Sequence, residues 1–508
     1  MTDNFLEFSA SLDRYELPAG QPKSQLSCHV DVKPDFGTGE GRQLSTSSSI
    51  CLVFDCSSSM IGSKFEAAVR AAKLIVDILH ERHWLSLIAF QSHSHIVFQN
   101  AVPIEGEKNF IKKQIDQLDR HLGGGTNMSA GIESGMDVLS ESIADADVMI
   151  ILSDGEPLFA ERAQMAADAA SQRGIQFFAV GIGESYNADQ LLRLVTPSNG
   201  AVFGASEVDR IDEIFYDIIR RIDRIFATNV KLNFTFDEHV QLAQVFKTSP
   251  ERALYDSSAI KSKNNALELR VGNVEDNKVY GFLLQLEVDS LDVGAIELVR
   301  ARLQYDINHL GINTQALGII LTVNVTKSDS PQSGPDRKTG NAVSSATIMQ
   351  LSDDLVQACS KSDKGRALEA IDQLQQRCDE ENNTALQRHL DHMKSQLDGG
   401  GKVSDKDRND FLLASSVAPS KAEFFDLVLI DPGSEPIRLL REIRYATNKG
   451  LREIADIIKC KNSVVTVFKN ESSADELQQR LVKVGAKVMV RAREGDQDPT
   501  SIQGRNPV

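Results

Sequence analysis

The segment "CLVFDCSSSM" at residues 51–60 joins a run of apolar residues to an acid and a cluster of hydroxyl side chains. A short continuous apolar run is typical of a strand that is buried on both faces of a parallel sheet. Asp55 therefore stands at the end of a predicted buried strand, with Ser57 and Ser59 at alternate positions after it. Because an unpaired buried carboxylate is strongly destabilising, this strand end needs a partner for Asp55.

Three further apolar runs of the same kind follow, and helical segments separate them. The runs are "WLSLIAF", "DVMIILSDG" and "IQFFAVGIG", and one of the intervening segments is "SKFEAAVRAAKLIVDILHER". Strands that alternate with helices are the pattern of a doubly wound, mostly parallel sheet. The sequence therefore predicts an α/β domain over residues 50–224.

Two other stretches carry polar oxygens to the predicted strand ends. "GGGTN" at residues 123–127 opens a helix, and "MIILSDGEP" at residues 149–157 ends a strand in an acid. In a doubly wound sheet these strand ends share one edge, where ligands bind. A set of carboxylates and hydroxyls without thiol or imidazole suits Mg²⁺, with Mn²⁺ as a further possibility. The residues expected to converge are Asp55, Ser57, Ser59, Thr126 and Asp154.

The three motifs "DCSSSM", "GGGTN" and "LSDGEP" resemble the metal-ion-dependent adhesion site of von Willebrand factor type A domains. The resemblance implies a Mg²⁺ held by Ser57, Ser59 and Thr126, with Asp55 and Asp154 acting mainly through waters. It also implies one open coordination position for an acidic side chain of a protein partner. Each motif alone could equally be an ordinary helix cap or turn, but three in the matching order favour the metal site.

The rest of the chain divides by composition and periodicity. Alternating segments on both sides of the α/β domain predict one β-sandwich into which that domain is inserted. Polar stretches rich in glycine and serine predict linkers. The predicted parts are a β-sandwich of residues 1–49 with 225–325, a linker 326–345, a helical segment 346–398, a linker 399–421, a small α/β domain 422–491 and a flexible tail 492–508.

The stretches "IRLLREIRYATNKGLREIADII" (437–458) and "GAKVMV" (485–490) resemble the C-terminal domain of the bacterial ribosomal stalk protein. That resemblance points to a bacterium and implies a surface that recruits translational GTPases. The sequence departs from the family at Ala455, where the family has a lysine, and at "NKGL", where it has two closely spaced glycines. The positions that match its partner-binding surface are Ile437, Leu440, Arg441, Arg444, Gly450 and Leu451.

The same helix can be interpreted without the family. Arg438, Arg441 and Arg444 recur at intervals of three residues, which places them on roughly one side of a helix. Such a row is either an ordinary solvated face or a patch that binds an acidic partner.

Composition restricts the location and the partners. The formal net charge of -17 over 508 residues argues against broad nucleic-acid or membrane-surface binding. Six scattered cysteines without a C-x-x-C pair favour a reducing compartment. Neither a signal peptide nor an apolar run of about 18 residues is evident, so a cytoplasmic location without a membrane span is expected. Four histidines close together in the sequence are expected at surface or capping positions: His80, His83, His93 and His95.

These observations predict an intracellular, Mg²⁺-dependent protein-binding scaffold with a second docking surface on the C-terminal domain. Bacterial stress, signalling or phage-defence systems are the context that analogy suggests. One alternative is an adhesion-type subunit of a ring ATPase of the chelatase kind, and another is a metal-dependent hydrolase. No nucleophile elbow is evident, so an enzyme is not the main expectation. The oligomeric state is left open.

Overall fold

A computed structural model describes most of the chain. It forms two compact units, Met1–Ala418 and Pro419–Val508. The described residues are 5–35, 46–154, 157–183, 186–205, 211–255, 265–327, 337–381, 383–417, 424–433, 436–447, 463–468, 484–493 and a few positions between 454 and 482.

The first unit begins with three strands of a β-sandwich. Apolar residues alternate with polar ones along the longest of them, which has one face in the core. The strands are β1 (Leu6–Leu12), β2 (Glu16–Pro18) and β3 (Lys23–Pro34).

A six-stranded α/β domain follows. Its strands are β4 (Ser48–Asp55), β5 (His83–Phe90), β6 (Ser94–Ala101), β7 (Ala146–Ser153), β8 (Gln176–Ile182) and β9 (Ala201–Ala205). Its helices are α1 (Ser63–Ile78), α2 (Lys108–Ile115), α3 (Met128–Leu139), α4 (Ala160–Gln172), α5 (Ala188–Val195) and α6 (Ile211–Asp223). The sheet order is β6-β5-β4-β7-β8-β9, with only β6 antiparallel to its neighbour.

The helices cover both faces of this sheet, which confirms the predicted doubly wound fold. The apolar sides of α1, α2 and α6 pack on one face, and those of α3, α4 and α5 pack on the other. In α1 the buried positions Ala68, Ala71, Ala72, Ile75 and Val76 recur at helical spacing, so a single stripe faces the sheet. The edge strands β6 and β9 were not among the predicted strands.

Seven further strands complete the sandwich. They are β10 (Ile225–Phe236), β11 (Val240–Ser249), β12 (Ala253–Leu254), β13 (Ala266–Glu275), β14 (Tyr280–Asp289), β15 (Gly294–Ile307) and β16 (Ile312–Thr326). The two sheets have the orders β1-β3-β14-β11-β12 and β13-β10-β15-β16-β2. Strand β3 pairs with β14 and β2 with β16, so each sheet joins chain from both sides of the inserted domain.

Both segments predicted as linkers contain helix, so those two predictions were wrong over part of their length. The helices are α7 (Arg337–Ser360), α8 (Lys364–Glu381), α9 (Thr384–Asp398) and α10 (Asp405–Ser416). Ala342 of α7 packs on Phe246 and Leu283 of the sandwich, which stabilises helix in the first segment. In the second, the Ser404 side chain caps α10 by accepting from the Asp407 N–H, and Phe411 is fully buried.

A group of buried charges lies where the α/β domain meets the sandwich. Arg221 of α6 donates through Nε to Glu275 Oε1 at 2.8 Å and pairs through Nη2 with Glu251 Oε1 at 2.9 Å. Lys247 Nζ donates to Glu251 Oε2 at 2.8 Å. Two cations therefore face two carboxylates, and we call Arg221, Lys247, Glu251 and Glu275 the junction network.

The second unit contains a small three-stranded antiparallel sheet with the order β18-β17-β19. Leu427, Leu439, Ile443 and Val465 form part of its own buried core. Strand β19 runs two residues into the predicted tail, and residues 494–508 lie outside the described part. The described elements are β17 (Phe424–Asp431), α11 (Pro436–Thr447), β18 (Ser463–Phe468) and β19 (Lys487–Arg493). Over all described residues, every helix is too short or too polar to cross a membrane.

Candidate functional site

Two neighbouring parallel strands bring both predicted carboxylates to one edge of the sheet. Strands β4 and β7 run side by side, with Phe54 opposite Leu152. Asp55 is the last residue of β4, and Asp154 directly follows β7. Both are buried, at 0% and 3% exposure. The parallel register thus places the two acids together at the end where ligands bind in folds of this kind.

Neutral donors hold the Asp55 carboxylate. Its Oδ1 accepts from the backbone N–H of Ser57 at 2.8 Å, and its Oδ2 accepts from Ser153 Oγ at 2.6 Å. Burial raises the pKa of Asp55, the bonds from Ser153 and Ser57 act in the opposite direction, and the nearby charge of Asp154 adds to the rise. A cation at this edge would favour the ionised form of Asp55.

A chain of hydroxyl groups connects the serine motif with Asp154. Ser59 Oγ donates to Asp154 Oδ1 at 2.7 Å, and Ser57 Oγ lies 3.0 Å from Ser59 Oγ. The structure therefore brings together Asp55, Ser57, Ser59 and Asp154, four of the five predicted site residues.

The fifth, Thr126, lies in a loop that hydrogen bonds attach to the same edge. Gly124 has a φ of +81°, a conformation that favours glycine, and its carbonyl accepts from both N and Oγ of Ser58 at 3.3 and 3.0 Å. The Thr126 carbonyl accepts from the Leu158 N–H at 2.9 Å. Thr126, which is buried, is thus held between the serine motif and the segment after Asp154.

Sequence reasoning missed two residues of this site, Lys64 and Ser153. Lys64 Nζ donates to Asp154 Oδ2 at 2.5 Å, and Ser153 donates to Asp55 as described above. Lys64 was missed because the prediction considered only oxygen atoms as metal ligands, and an amine is not among them. The available signal was a lysine nine residues after Asp55, in the first turn of the helix that follows the serine motif.

The donor set fits a hard divalent cation. Two buried carboxylates converge with the hydroxyls of Ser57, Ser59 and Ser153, and one ammonium group balances only one of the two negative charges. Oxygen donors of this kind prefer Mg²⁺ or Mn²⁺ to softer metals.

A separate cluster lies at the opposite ends of the strands, where β5 begins and α6 ends. His80 Nε2 and His83 Nε2 lie 3.4 and 3.2 Å from Asp223 Oδ1. His83 is almost fully buried, so it does not lie at the surface. The His80 backbone N–H donates to His83 Nδ1 at 3.3 Å, which leaves the ring proton on Nε2, facing Asp223. These three potential ligands are therefore hydrogen-bonded to one another, and the arrangement joins β5 to α6.

In the second unit, α11 carries the predicted partner-binding residues. Arg441 and Arg444 are exposed, Leu440 is half-buried, and Leu439 and Ile443 face the core. Arg438 is exposed on the same helix. Ile437 lies within α11, whereas Gly450 and Leu451 lie outside the described residues.

Comparisons with known proteins agree with this architecture. The family model of the von Willebrand factor type A domain matches residues 49–217. A solved von Willebrand factor type A protein from Catenulispora acidiphila shares the fold with a TM-score of 0.69 and 16% identity, over 83% of this chain and 99% of that one. An uncharacterized protein of Synechocystis sp. is 25% identical over 59% of this chain and 71% of its own length.

The second unit has its own relatives. The model of the ribosomal protein L7/L12 C-terminal domain matches residues 425–491. The large ribosomal subunit protein bL12 of Anaeromyxobacter sp. is 36% identical over 13% of this chain, and the match spans about half of that relative, 54% of its length. Type A domains commonly bind a divalent metal and indicate a protein-interaction or adhesion-type role. The chain therefore contains a von Willebrand factor type A domain over residues 49–217 and a ribosomal protein L7/L12 C-terminal domain over residues 425–491.

Proposed function

We propose that the type A domain binds one Mg²⁺ or Mn²⁺ and uses it to capture an acidic side chain of a protein partner. Ser57, Ser59 and Thr126 would hold the ion, with Asp55 and Asp154 behind them. The bound ion would supply an electrophile for the partner's carboxylate. The observation that carries the proposal is the convergence of Ser57 and Ser59 on the two buried carboxylates Asp55 and Asp154 at one sheet edge.

The surroundings of the site support a protein ligand. Ile61, Leu158 and Phe159 follow the site segments and are 63%, 59% and 51% exposed. Arg162 lies 5.2 Å from the centre of the Phe159 ring and adds a positive charge. Exposed apolar residues around a polar centre are typical of protein interaction surfaces, so the partner segment is expected to carry apolar residues beside its acid.

Calorimetry of the full chain with Mn²⁺ tests the metal site. We expect one binding site in the natural protein and none in Ser57→Ala/Ser59→Ala. Ser58→Ala is the matched control, because Ser58 lies between the two serines but its hydroxyl donates to the Gly124 carbonyl. Undiminished Mn²⁺ binding in the double variant would overturn the proposal.

Affinity capture with the natural chain and with Asp55→Ala, each in Mg²⁺ and in chelator, tests the partner. A protein retained only by the natural chain in Mg²⁺ would support the scaffold function. Co-purification of a ring ATPase would favour the chelatase-type alternative. Hydrolysis that is lost in Asp154→Ala would favour the metal-dependent hydrolase.

We further propose that the second unit docks a separate acidic protein through the exposed arginines of α11. The relatives named for this domain are ribosomal proteins, and the row of Arg438, Arg441 and Arg444 presents charge while Leu439 and Ile443 hold the helix to its core. In that case one chain holds two partners, which raises the effective concentration of one for the other.

A reducing, cytoplasmic location is part of the same proposal. The five described cysteines are free, and burial raises the pKa of the Cys28 and Cys51 thiols to about 12. Thiols that are kept buried and protonated suit a compartment that does not form disulfides.

A further inference from the structure

We propose that Lys64 is a built-in counter-cation of the type A site, which competes with the divalent ion for Asp154. Without the ion, its ammonium group neutralises Asp154; when the ion binds, that group must leave the carboxylate. This inference rests on the metal-dependent function proposed above. It goes further by naming a residue that sets how tightly the metal is bound.

The contact itself is the first support. Lys64 Nζ lies 2.5 Å from Asp154 Oδ2, while Ser59 Oγ occupies Oδ1 at 2.7 Å. The Asp154 side chain is 1% exposed, whereas that of Lys64 is 30% exposed. The only charged partner described for this buried carboxylate is therefore Lys64, whose side chain is partly exposed to solvent.

The position of Lys64 in its helix is the second support. Lys64 is the second residue of α1, and the N-cap of that helix is Gly62, which makes no side-chain cap. A cation in the first turn is unfavourable, because the helix dipole places positive charge there. Glu66 in the same turn has the favourable sign. The charge of Lys64 therefore does not stabilise its own helix, but it does stabilise the ionised carboxylate of Asp154.

The third support is a passage that accommodates the lysine. Gly183 has a φ of +89°, and a Cβ built at that position would lie 2.9 Å from Lys64 Cε. Its N–H donates to the Ala205 carbonyl, which fixes the turn after β8. A glycine in this turn therefore leaves room for the lysine stem on its way from α1 to Asp154.

The Lys64 ammonium group and a divalent ion held by the neighbouring serines would both draw on the negative charge of Asp154, and two cations so near to one another repel. Each divalent ion that binds must therefore displace the ammonium group, and the observed affinity is reduced accordingly. Removal of the lysine charge should tighten metal binding. A purely structural role for Lys64 would predict the reverse, since its loss would disorder the site.

Calorimetry of the full chain with Mn²⁺ tests this directly. Lys64→Met keeps the stem and removes the charge, and we expect the association constant to rise by about tenfold or more. Lys73→Met is the matched control on the same helix, because Lys73 pairs with the exposed Asp116; it should stay within about twofold of the natural chain.

A second measurement needs no variant. Lys64 in the natural chain should react faster with an amine-acylating ester in the presence of Mg²⁺ than in chelator, as followed by peptide mass spectrometry. Lys73 should react at the same rate in both. This measurement keeps the inference testable even if Lys64→Met fails to fold.

The outcomes separate the two proposals. If the natural chain binds Mn²⁺ but Lys64→Met binds it equally or more weakly, the role of Lys64 is wrong and the metal site stands. That role is also overturned if the chain binds the metal but the rate of Lys64 acylation is the same in Mg²⁺ and in chelator. If neither the natural chain nor Lys64→Met binds Mn²⁺, both proposals fall.

Discussion

The junction network and the type A site both bury carboxylates, but they balance the charge differently. Glu275, only 2% exposed, accepts from Arg221, and Glu251 is paired with both Arg221 and Lys247. The two carboxylates of the site have between them one described cation, Lys64, which is partly exposed.

The pKa values express that difference. Burial works against ionisation of Glu251, yet the charges of Arg221 and Lys247 lower its pKa to about 2. Burial of Asp55 raises its pKa, with only neutral hydrogen bonds opposing it. In the junction network the opposite charges balance, which suits a structural role. The type A site lacks one positive charge and lies at an accessible edge of the sheet, which suits the binding of an ion.

Arg221→Met should have the largest effect on folding. It leaves Glu275 buried without its cation, so we expect the free energy of unfolding to fall by about 3–5 kcal/mol. Urea denaturation followed by circular dichroism measures this. The control is Arg193→Met, which removes an exposed ion pair with Asp189 and should change stability by less than about 0.5 kcal/mol. Equal effects of the two variants would contradict a structural role for the junction network.

Asp147 provides a third kind of acid, half-buried and near the start of β7, whose other end leads to Asp154. Its Oδ1 is buried and has no hydrogen-bond partner among the described residues. Burial raises its pKa from 3.8 to about 6, and a bond from Ser142 opposes the rise. A carboxyl group with a raised folded-state pKa stabilises the fold fully below its unfolded pKa. That contribution is lost as pH rises through about 6.

Asp147→Asn should remove this pH dependence. Relative to the variant, the natural chain should lose about 1–3 kcal/mol of unfolding free energy between pH 4 and pH 7. Denaturation curves at half-unit steps of pH measure the difference, with Asp137→Asn, at an exposed acid on α3, as a control for the loss of one charge. A difference that stays constant with pH would show that Asp147 is ionised at no penalty.

The site itself should matter little to folding. Ser57→Ala/Ser59→Ala removes two hydroxyls at the sheet edge but leaves Lys64 on Asp154, so we expect a loss of about 1 kcal/mol in unfolding free energy. Chelator should lower the melting point of the natural chain modestly, since a ligand at a hundredfold excess over its Kd stabilises by only about 2.7 kcal/mol. Unfolding by chelator alone would show that the metal is structural.

The sequence predicts one of these regions far better than the other. Asp55, Ser57, Ser59, Thr126 and Asp154 are recognisable because they directly follow short apolar runs or a glycine turn. The junction network leaves no such sign, because Arg221, Lys247, Glu251 and Glu275 come from separated segments that meet only in the folded chain. Lys64 was missed for a related reason: its partner lies 90 residues away in the sequence.

The prediction of the second linker failed for one local and one long-range reason. The prediction rested on the glycines and charged residues of "DGGGKVSDKDRND" and overlooked a helix-capping pattern. In that pattern Ser404 precedes Asp407 by three residues, and Phe411 follows with an apolar side chain. Asn409 of that helix also bonds to the backbone of Tyr186 and Ala188 in the α/β domain. Such contacts between residues far apart in the sequence stabilise a short helix that its own composition does not favour.

Arg441 and Arg444 of α11 are exposed, in contrast to the buried charges of the junction network. Arg441→Glu/Arg444→Glu should therefore change the free energy of unfolding by less than about 0.5 kcal/mol, because Leu439 and Ile443 hold α11 to its core and Glu442 keeps its pair with Arg480. The same change should abolish capture of an acidic partner in Mg²⁺ and in chelator alike. Capture by the natural chain should weaken with added salt, because the Debye length shortens to about 10 Å at 0.1 M. Lys361→Glu/Arg388→Glu, on exposed positions of the helical segment, makes the same charge change elsewhere and should leave capture intact. If the α11 variant kept its partner, or if the partner were lost with the metal site, the second unit would not dock a partner through these arginines.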